Sequence, residues 1–201
     1  ADKDIFIADG HHRYETALAF RREMQENGLL KTGNEPFNYA LMFLANMEGD
    51  GLTLLPTHRI IETDSDINIK EVLKKCFDIQ KIDSAGLSEK ETRQKMLESI
   101  QKKTHSFGLF LTNSSSYYTL TNNCPDTLSD QPECLRTLDV TVLHKLIFGL
   151  LKIDHFEYEM DPDIAVERAR KGSFEAAFFL NPTRVQDVKE VALAGQRMPP
   201  K

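Results

Sequence analysis

Residues 5–14 read IFIADGHHRY, an apolar run that ends at an Asp-Gly pair and is followed by two histidines, an arginine and a tyrosine. The run 5–8 has the length of a buried strand, and Asp9-Gly10 is a strong turn signal. Beyond the turn, apolar residues recur at helical spacing from Ala17 to Met24, and Gly28 provides a stop. The pattern therefore predicts a strand, a tight turn and a helix, in that order.

The predicted turn carries groups that suit an anion. A helix N-terminus presents free N–H groups and the positive end of the helix dipole. Gly10 would let a ligand approach the backbone closely, and Arg13 offers a fork of donors that matches phosphate or carboxylate. His11 and His12 add two imidazoles. The turn is therefore a candidate phosphate site.

Asp9 has three possible roles beside this turn. Its carboxylate is a candidate ligand for a metal ion, a candidate catalytic base for a hydroxyl proton, and a candidate helix cap. The alternative interpretation of the whole segment is structural: Asp9 only caps the helix and the adjacent histidines are solvated, because most helix N-termini bind only water. Spacing alone does not decide between the two.

Composition bounds the class of protein. The chain has 201 residues, of which 40% are hydrophobic and 28% charged, as in ordinary soluble domains. No apolar run approaches membrane-spanning length, so we expect a cytoplasmic protein with no membrane partner. The chain has three cysteines and no C-x-x-C pair, which argues against a disulfide framework or a zinc knuckle. Cys124 and Cys134 flank a loop and could form a disulfide, but reduced thiols are expected in the cytosol.

Charge argues against nucleic acid as a partner. The formal net charge is −6 and the isoelectric point is near 5.6, which gives no general attraction for a phosphate backbone. No helix-turn-helix segment or basic stripe is visible, so we predict no DNA binding. A built-in zinc site is not predicted either, because the chain has no H-E-x-x-H motif.

The remaining chain alternates helices and strands irregularly. Two hairpins are predicted, one from strands at 38–45 and 52–55 around the turn 48–51, and one from strands at 107–112 and 117–121. Further strands are predicted at 77–82, 156–160 and 174–180, and helices at 67–76, 88–103, 139–150, 162–171 and 185–194. This pattern predicts an α+β fold with a mixed, largely antiparallel sheet and packed helices. A weak boundary near 63–66 divides the chain into residues 1–64 and 65–201.

A second candidate site lies in the PTHR sequence at residues 56–59. It follows the predicted strand 52–55, and loops at strand ends often contact ligands. If that strand lies beside the first one, His58 and Arg59 would join Asp9, His12 and Arg13 over one anion. The alternative is that His58 only satisfies a strand end. His144 is predicted to be a half-buried structural histidine.

Several boxes carry a resemblance to known proteins. GHHRYETA resembles the GCHRY box of sulfiredoxin and the G-x-R-R-x-x-A box of ParB, in whose superfamily this turn holds nucleotide phosphates. Five boxes in order resemble the DUF1015 family, bacterial and archaeal proteins related to the free-serine kinases of SerK and SbnI type. These boxes are IADGHHRYETAL, LLPTHRII, LDVTVLHKLIF, AAFFLNPTRVQDV and GQRMPPK.

The resemblance implies a function and a set of site residues. Residues 1–64 would be the C-terminal portion of a ParB/sulfiredoxin-like phosphate-binding domain, and residues 65–201 a family-specific α+β domain. The intact protein would use Mg²⁺ with ATP or ADP to phosphorylate an amino-acid hydroxyl, such as that of free serine. Asp9 would be catalytic or would bind the Mg²⁺, and the phosphate or nucleotide would contact Gly10, His11, His12, Arg13, His58 and Arg59.

Departures from the related families limit this implication. His11 stands where sulfiredoxin has its reactive cysteine, so sulfur-based chemistry has no nucleophile here. The serine kinases place a catalytic carboxylate upstream of this box, so we expect the chain to be a C-terminal fragment that binds a ligand without turning it over. The alternative function is a ligand-sensing or regulatory module that binds a nucleotide or a phosphorylated metabolite without catalysis.

Overall fold

The computed structural model describes residues 4–49, 52–63 and 67–199, with the side chains of Pro125 and Asp126 excepted. The chain forms two compact units, Ala1–Thr53 and Leu54–Lys201. This division lies N-terminal to the sequence-based boundary at 63–66, of which 64–66 lie outside the described residues. Each unit is considered separately below.

The first unit is built on one long helix. Helix α1 spans His11–Glu26 and is followed by a short 3₁₀ turn at Pro36–Asn38. The helix ends as the sequence predicts, because Gly28 adopts φ 72°. The N–H of Gly28 bonds to the carbonyl of Gln25, and the N–H of Leu29 bonds to that of Met24, which together make a Schellman cap.

The strands predicted for the first 55 residues are wrong. None of the described residues in 5–8, 38–45 and 52–55 belongs to a strand, and residues 50 and 51 of the predicted turn lie outside the described residues. An apolar run becomes a strand only where a second strand satisfies its backbone N–H and C=O groups. No such partner strand is found among the described residues of this unit, so Leu41 and Phe43 stay almost fully exposed.

The second unit contains a six-stranded sheet with the order β2-β4-β3-β6-β1-β5. Every neighbouring pair is antiparallel, which confirms the predicted α+β class with a largely antiparallel sheet. The predicted central hairpin is also confirmed and joins β3 to β4. The strands are β1 His58–Ile61, β2 Phe77–Lys81, β3 Ser106–Leu111, β4 Ser116–Asn122, β5 Phe156–Glu159 and β6 Ala176–Phe179.

Helices cover the two faces of this sheet. One core lies between the sheet and helix α2 together with the helical run from Asp139 to Leu151, and the other lies between the sheet and helices α3 and α7. Because successive strand residues point to opposite faces, Ile60 and Ile61 serve different cores. The helices are α2 Ile69–Leu73, α3 Glu89–Ile100, α4 Glu133–Arg136, α5 Asp139–Val142, a π-helical turn Leu143–Ile147, α6 Phe148–Leu151, α7 Pro162–Lys171 and α8 Val185–Leu193.

Local capping signals fix the ends of the longer helices. Ser88 and Glu91 form a reciprocal capping box at the start of α3. Asp161 accepts bonds from the N–H groups of Asp163 and Ile164 at the start of α7, with Pro162 in the first turn. In the part of the chain that the structure describes, none of these helices has the length and apolar character needed to cross a membrane.

Candidate functional site

The Gly10 turn begins helix α1 in a conformation that favours glycine. Gly10 has φ 81°, and its carbonyl accepts the first helical bond from the N–H of Tyr14 at 3.0 Å. A Cβ built on Gly10 would lie only 3.1 Å from Nη2 of Arg13. The Arg13 guanidinium therefore folds back over Gly10 at the start of the helix.

The side chains of this turn are accessible to solvent. Nη2 of Arg13 lies 3.5 Å from Oδ2 of Asp9, and both side chains are largely exposed. The His12 side chain is fully exposed, with Nδ1 3.9 Å from Oε2 of Glu15. The Arg13 and His12 side chains are therefore open to an anion that approaches the start of the helix from solvent.

Asp9 fits a nucleotide-borne magnesium ion better than a protein-built metal site. Among the described residues no group of three or more His, Cys, Asp or Glu side chains is placed to hold a metal ion. Mg²⁺ commonly takes one or two carboxylates and completes its octahedron with substrate phosphates and waters. The single carboxylate of Asp9 satisfies the protein's share of that requirement. Mg²⁺ binding by Asp9 stays a prediction.

The PTHR sequence leads into a strand instead of following one. The predicted strand 52–55 is wrong, because the pairing with β5 and β6 starts at His58 and Arg59. Both faces of this inner strand are covered, and all four of its residues are buried. His58 and Arg59 therefore occupy the interior of the second unit.

His58 is held as a neutral acceptor. Its side chain is 1% exposed, its ring lies 4.9 Å from that of Phe179, and its Nδ1 accepts the N–H of Leu180 at 3.3 Å. Burial, with a smaller contribution from the positive charge of Arg59, lowers the pKa of His58 to about 4. The imidazole is therefore uncharged at neutral pH.

Arg59 is a buried cation without an acidic partner. Its Nε donates to Nε2 of His144 at 3.3 Å, its Nη1 donates to the carbonyl of Thr57, and its guanidinium lies 4.5 Å from the ring centroid of Tyr158. Burial lowers the pKa of Arg59 to about 10, which still leaves it protonated at neutral pH. Within the described ranges, no carboxylate lies at ion-pair distance from it.

His144 forms a cluster with Arg59 and Tyr158. It lies in the π-helical turn, stacks on Phe148 at 5.2 Å and also contacts Phe156. Burial, followed by the charge of Arg59, lowers the pKa of His144 to about 4, so its Nε2 is free to accept from Arg59. The half-buried position agrees with the structural role predicted for this histidine.

The two groups of predicted site residues belong to different units. Asp9 and residues 10–13 lie in Ala1–Thr53, whereas His58 and Arg59 lie in Leu54–Lys201. His58 and Arg59 are successive residues of β1, so their side chains lie on opposite faces of the sheet, His58 against Phe179 and Arg59 against His144. That both groups contact one anion stays a prediction.

Comparison with known proteins gives a family. A family model described as "Protein of unknown function (DUF1015)" matches residues 1–141. The chain belongs to the DUF1015 family. The match spans the whole first unit and strands β1–β4 of the second. A solved structure of a conserved hypothetical protein from Pyrococcus furiosus is similar with a TM-score of 0.45 and 15% identity, over 97% of this chain and 67% of that one. No curated protein matches.

This DUF1015 chain also contains a polar network that sequence reasoning missed. Arg93 is buried, and its Nε donates to Oδ1 of Asp163 at 2.8 Å while Nη1 contacts the Tyr117 hydroxyl at 3.4 Å. Tyr117 in turn donates to Glu89 at 2.8 Å, and Glu89 pairs with Arg170. Burial raises the pKa of Tyr117 to about 12, so it remains a donor.

The network joins α3, β4 and α7, and it lines an open depression. The depression has a volume of about 410 Å³ and is bounded by three acidic and three basic side chains together with Val166: Glu89, Arg93, Asp163, Glu167, Arg170 and Lys171. The acids and bases are paired with one another, so the network is satisfied internally. No sequence pattern indicates this network, because Arg93 and Asp163 are 70 positions apart.

Two boxes without an assigned role meet elsewhere in the DUF1015 chain. Asp139, from the LDVTVLHKLIF box, accepts the N–H of His105 at 2.8 Å, and the side chain of Asn181, which belongs to the NPTR sequence, lies close enough to favour its ionised form. Asn181 donates further to the carbonyls of Ile100 and Lys103. Burial raises the pKa of Asp139. The boxes therefore form a junction that holds the loop between α3 and β3.

Proposed function

We propose that the Gly10–Arg13 turn binds the phosphates of a nucleotide, ATP or ADP, and that the protein is the nucleotide-binding part of a phosphotransferase acting on an amino-acid hydroxyl. The observation that carries this proposal is the geometry of the turn. Gly10 takes a left-handed conformation at the start of a 16-residue helix, with Arg13 folded over it. Open backbone donors, the helix dipole and an exposed guanidinium then converge on one space.

Such a turn supplies what phosphoryl transfer requires of a protein. The reaction depends mainly on positioning and on neutralising the charge of the phosphate oxygens. The N–H groups at the start of α1 and the Arg13 fork would hold those oxygens, and His12 would add a donor when protonated. Asp9 would hold Mg²⁺ or accept the proton of the acceptor hydroxyl.

The second unit offers independent support for an anionic ligand. Arg59 keeps a buried positive charge, and its side-chain neighbours are the neutral imidazole of His144 and the ring of Tyr158. An anion that reached Arg59 would gain strongly from the low dielectric. We propose that Arg59 and His58 contribute to phosphate or nucleotide binding from opposite faces of the sheet.

The binding proposal is tested by calorimetric titration of ADP with Mg²⁺ into the wild-type chain, Arg13→Ala and Arg22→Ala. Arg22 is the matched control, because it is exposed on the same helix but lies away from the turn. Charged hydrogen bonds are worth about 1.5–3 kcal/mol, so Arg13→Ala should weaken binding roughly 10- to 150-fold while Arg22→Ala leaves it unchanged. Equal affinities for the three proteins would remove Arg13 from the site.

A regulatory module is the second candidate, and one observation favours it. The carboxylate of Asp9 already lies 3.5 Å from the Arg13 guanidinium. A carboxylate in an ion pair is a weaker base, so this arrangement suits binding better than proton transfer. Incubating the intact, full-length protein with labelled ATP or ADP, Mg²⁺ and an amino-acid mixture separates the two functions. A phosphorylated amino acid indicates a transferase, whereas binding without product indicates a ligand-sensing module.

A further inference from the structure

Two of the three cysteines are brought together at the edge of the sheet. Strand β2 is an edge strand, and it pairs with β4 so that Phe77 lies opposite Asn122. The ladder continues one step further, because the N–H of Asn123 donates to the carbonyl of Cys76 at 3.0 Å. Cys124 is the next residue, so the same register places it opposite Lys75 and diagonally from Cys76.

The Cys124 thiol lies close enough to Cys76 to affect its ionisation. Sγ of Cys124 lies 3.6 Å from the carbonyl oxygen of Lys75, the residue that precedes Cys76. The hydrogen bond with the Cys124 thiol, followed by burial, raises the pKa of Cys76 to about 11. Both residues are only partly buried, so small reagents have access to them. The sequence suggests Cys124 and Cys134 as a possible pair instead, because these two residues are close together along the chain.

We propose that Cys76 and Cys124 are a reversible modification site, which forms an intramolecular disulfide when the protein meets a low-molecular-weight disulfide such as oxidised glutathione. The bridge would link the start of β2 to the segment that follows β4. Adjacent backbone atoms are already held by the Asn123 to Cys76 hydrogen bond, so little movement of the main chain is needed for the two sulfurs to join.

The exchange proceeds in two balanced steps. Cys76 keeps its proton at neutral pH, so the Cys124 sulfur attacks first, forms a mixed disulfide and releases one glutathione thiolate. The Cys76 sulfur then attacks Sγ of Cys124, which closes the protein disulfide and releases the second glutathione. The two thiol protons pass to the two glutathione thiolates. The protein loses two electrons and two protons, and oxidised glutathione is reduced to two thiols.

The bridge would stabilise the edge strand β2 of the sheet. Among the described residues, β2 pairs with β4 alone, so its first residue is held by that single ladder. A covalent link there restricts the unfolded chain over the whole segment between Cys76 and Cys124. We therefore expect oxidation to raise the melting temperature of the protein by roughly 4–10 °C.

The test uses the complete chain and the variants Cys76→Ser, Cys124→Ser and Cys134→Ser. Each protein is incubated with oxidised glutathione under native conditions, its free thiols are blocked with an alkylating reagent, and disulfides are located by peptide mass mapping. The wild type and Cys134→Ser should yield a Cys76–Cys124 cross-linked peptide and the rise in melting temperature. Cys76→Ser should stop at a glutathione adduct on Cys124, without the rise.

Two results would overturn the proposal. One is a wild-type protein in which Cys124 stays glutathionylated, or both thiols stay alkylated, at glutathione ratios that fully oxidise a control dithiol. The other is a Cys124–Cys134 bridge in place of Cys76–Cys124. Because serine replaces partly exposed thiols, the variants should keep the wild-type circular dichroism spectrum. Reduction by dithiothreitol should restore the original melting temperature of the oxidised wild type.

Discussion

The two buried histidines should make the second unit sensitive to mild acid. Burial and the charge of Arg59 lower the pKa of His58 and of His144 from 6.5 to about 4. In the unfolded chain these imidazoles bind protons near pH 6.5, whereas in the folded protein they stay neutral until about pH 4. The stability they contribute is therefore complete above pH 6.5 and is lost progressively as the pH falls towards 4.

The size of this loss follows from the two pKa values. Between pH 6.5 and pH 4, each fall of one pH unit lowers the free energy of unfolding by about 1.4 kcal/mol for each histidine. From pH 7 to pH 5 the cost is about 1.8 kcal/mol for the buried His58 and slightly less for the half-buried His144, whose charge solvent partly screens, which gives about 3.5 kcal/mol for the pair. That is a large fraction of the total stability of an ordinary domain.

The double variant His58→Asn, His144→Gln isolates the effect. Asparagine Oδ1 can replace Nδ1 as the acceptor for the N–H of Leu180, and glutamine Oε1 can replace Nε2 as the acceptor for Arg59. Neither amide titrates, so the variant should lose about 3.5 kcal/mol less than the wild type between pH 7 and pH 5. His155→Gln is the control, because that ring is exposed in the same unit.

Urea unfolding followed by circular dichroism at pH 7, 6 and 5 measures these differences. Comparing variant with wild type cancels the contributions of all other acids and bases, including Asp139. The reasoning is refuted if the free energies of unfolding of wild type and double variant fall in parallel over this range. It is equally refuted if His155→Gln removes the acid sensitivity.

Three other outcomes are expected. Gly108→Ala should lower the free energy of unfolding by about 1–3 kcal/mol in a urea titration, because its Cβ would lie 2.7 Å from Sδ of the buried Met96. Arg93→Ala should lower the free energy of unfolding by about 1–3 kcal/mol in the same measurement, since it removes the partner of Asp163 and Tyr117. The control Lys171→Ala, at an exposed ion pair, should change it by less than about 0.5 kcal/mol. Fluorescence anisotropy with labelled duplexes at about 0.15 M salt should show no sequence-dependent, salt-sensitive DNA binding; such binding would contradict the prediction from net charge.

Sequence reasoning succeeded where the signals were local. The hairpin of β3 and β4 was visible because two apolar strands flank a short polar turn. Helix α7 was visible because Asp161 and Pro162 mark its start, and helix α1 because Gly28 marks its end. Each of these features is decided by residues close together in the chain, so a single sequence contains the information.

The remaining features depend on contacts between distant residues. The apolar runs at 5–8 and 38–45 look like strands, but a strand also needs a neighbour, which a sequence pattern does not show. His58 and Arg59 looked like exposed strand-end residues, yet β1 is an inner strand covered on both faces and hence lacks the alternation that would signal burial. The Arg93 network and the proximity of Cys76 to Cys124 were hidden for the same reason.

The exposed apolar segment after the 3₁₀ turn has a practical consequence for proteolysis. Tyr39, Leu41 and Phe43 are exposed, and their backbone is neither helix nor strand, so a protease that prefers large apolar side chains can bind this segment in an extended form. Brief chymotrypsin digestion should cut there before it cuts the sheet. The cleavage would cut the chain between α1 and the six-stranded unit, and mass spectrometry of the products would locate the cut.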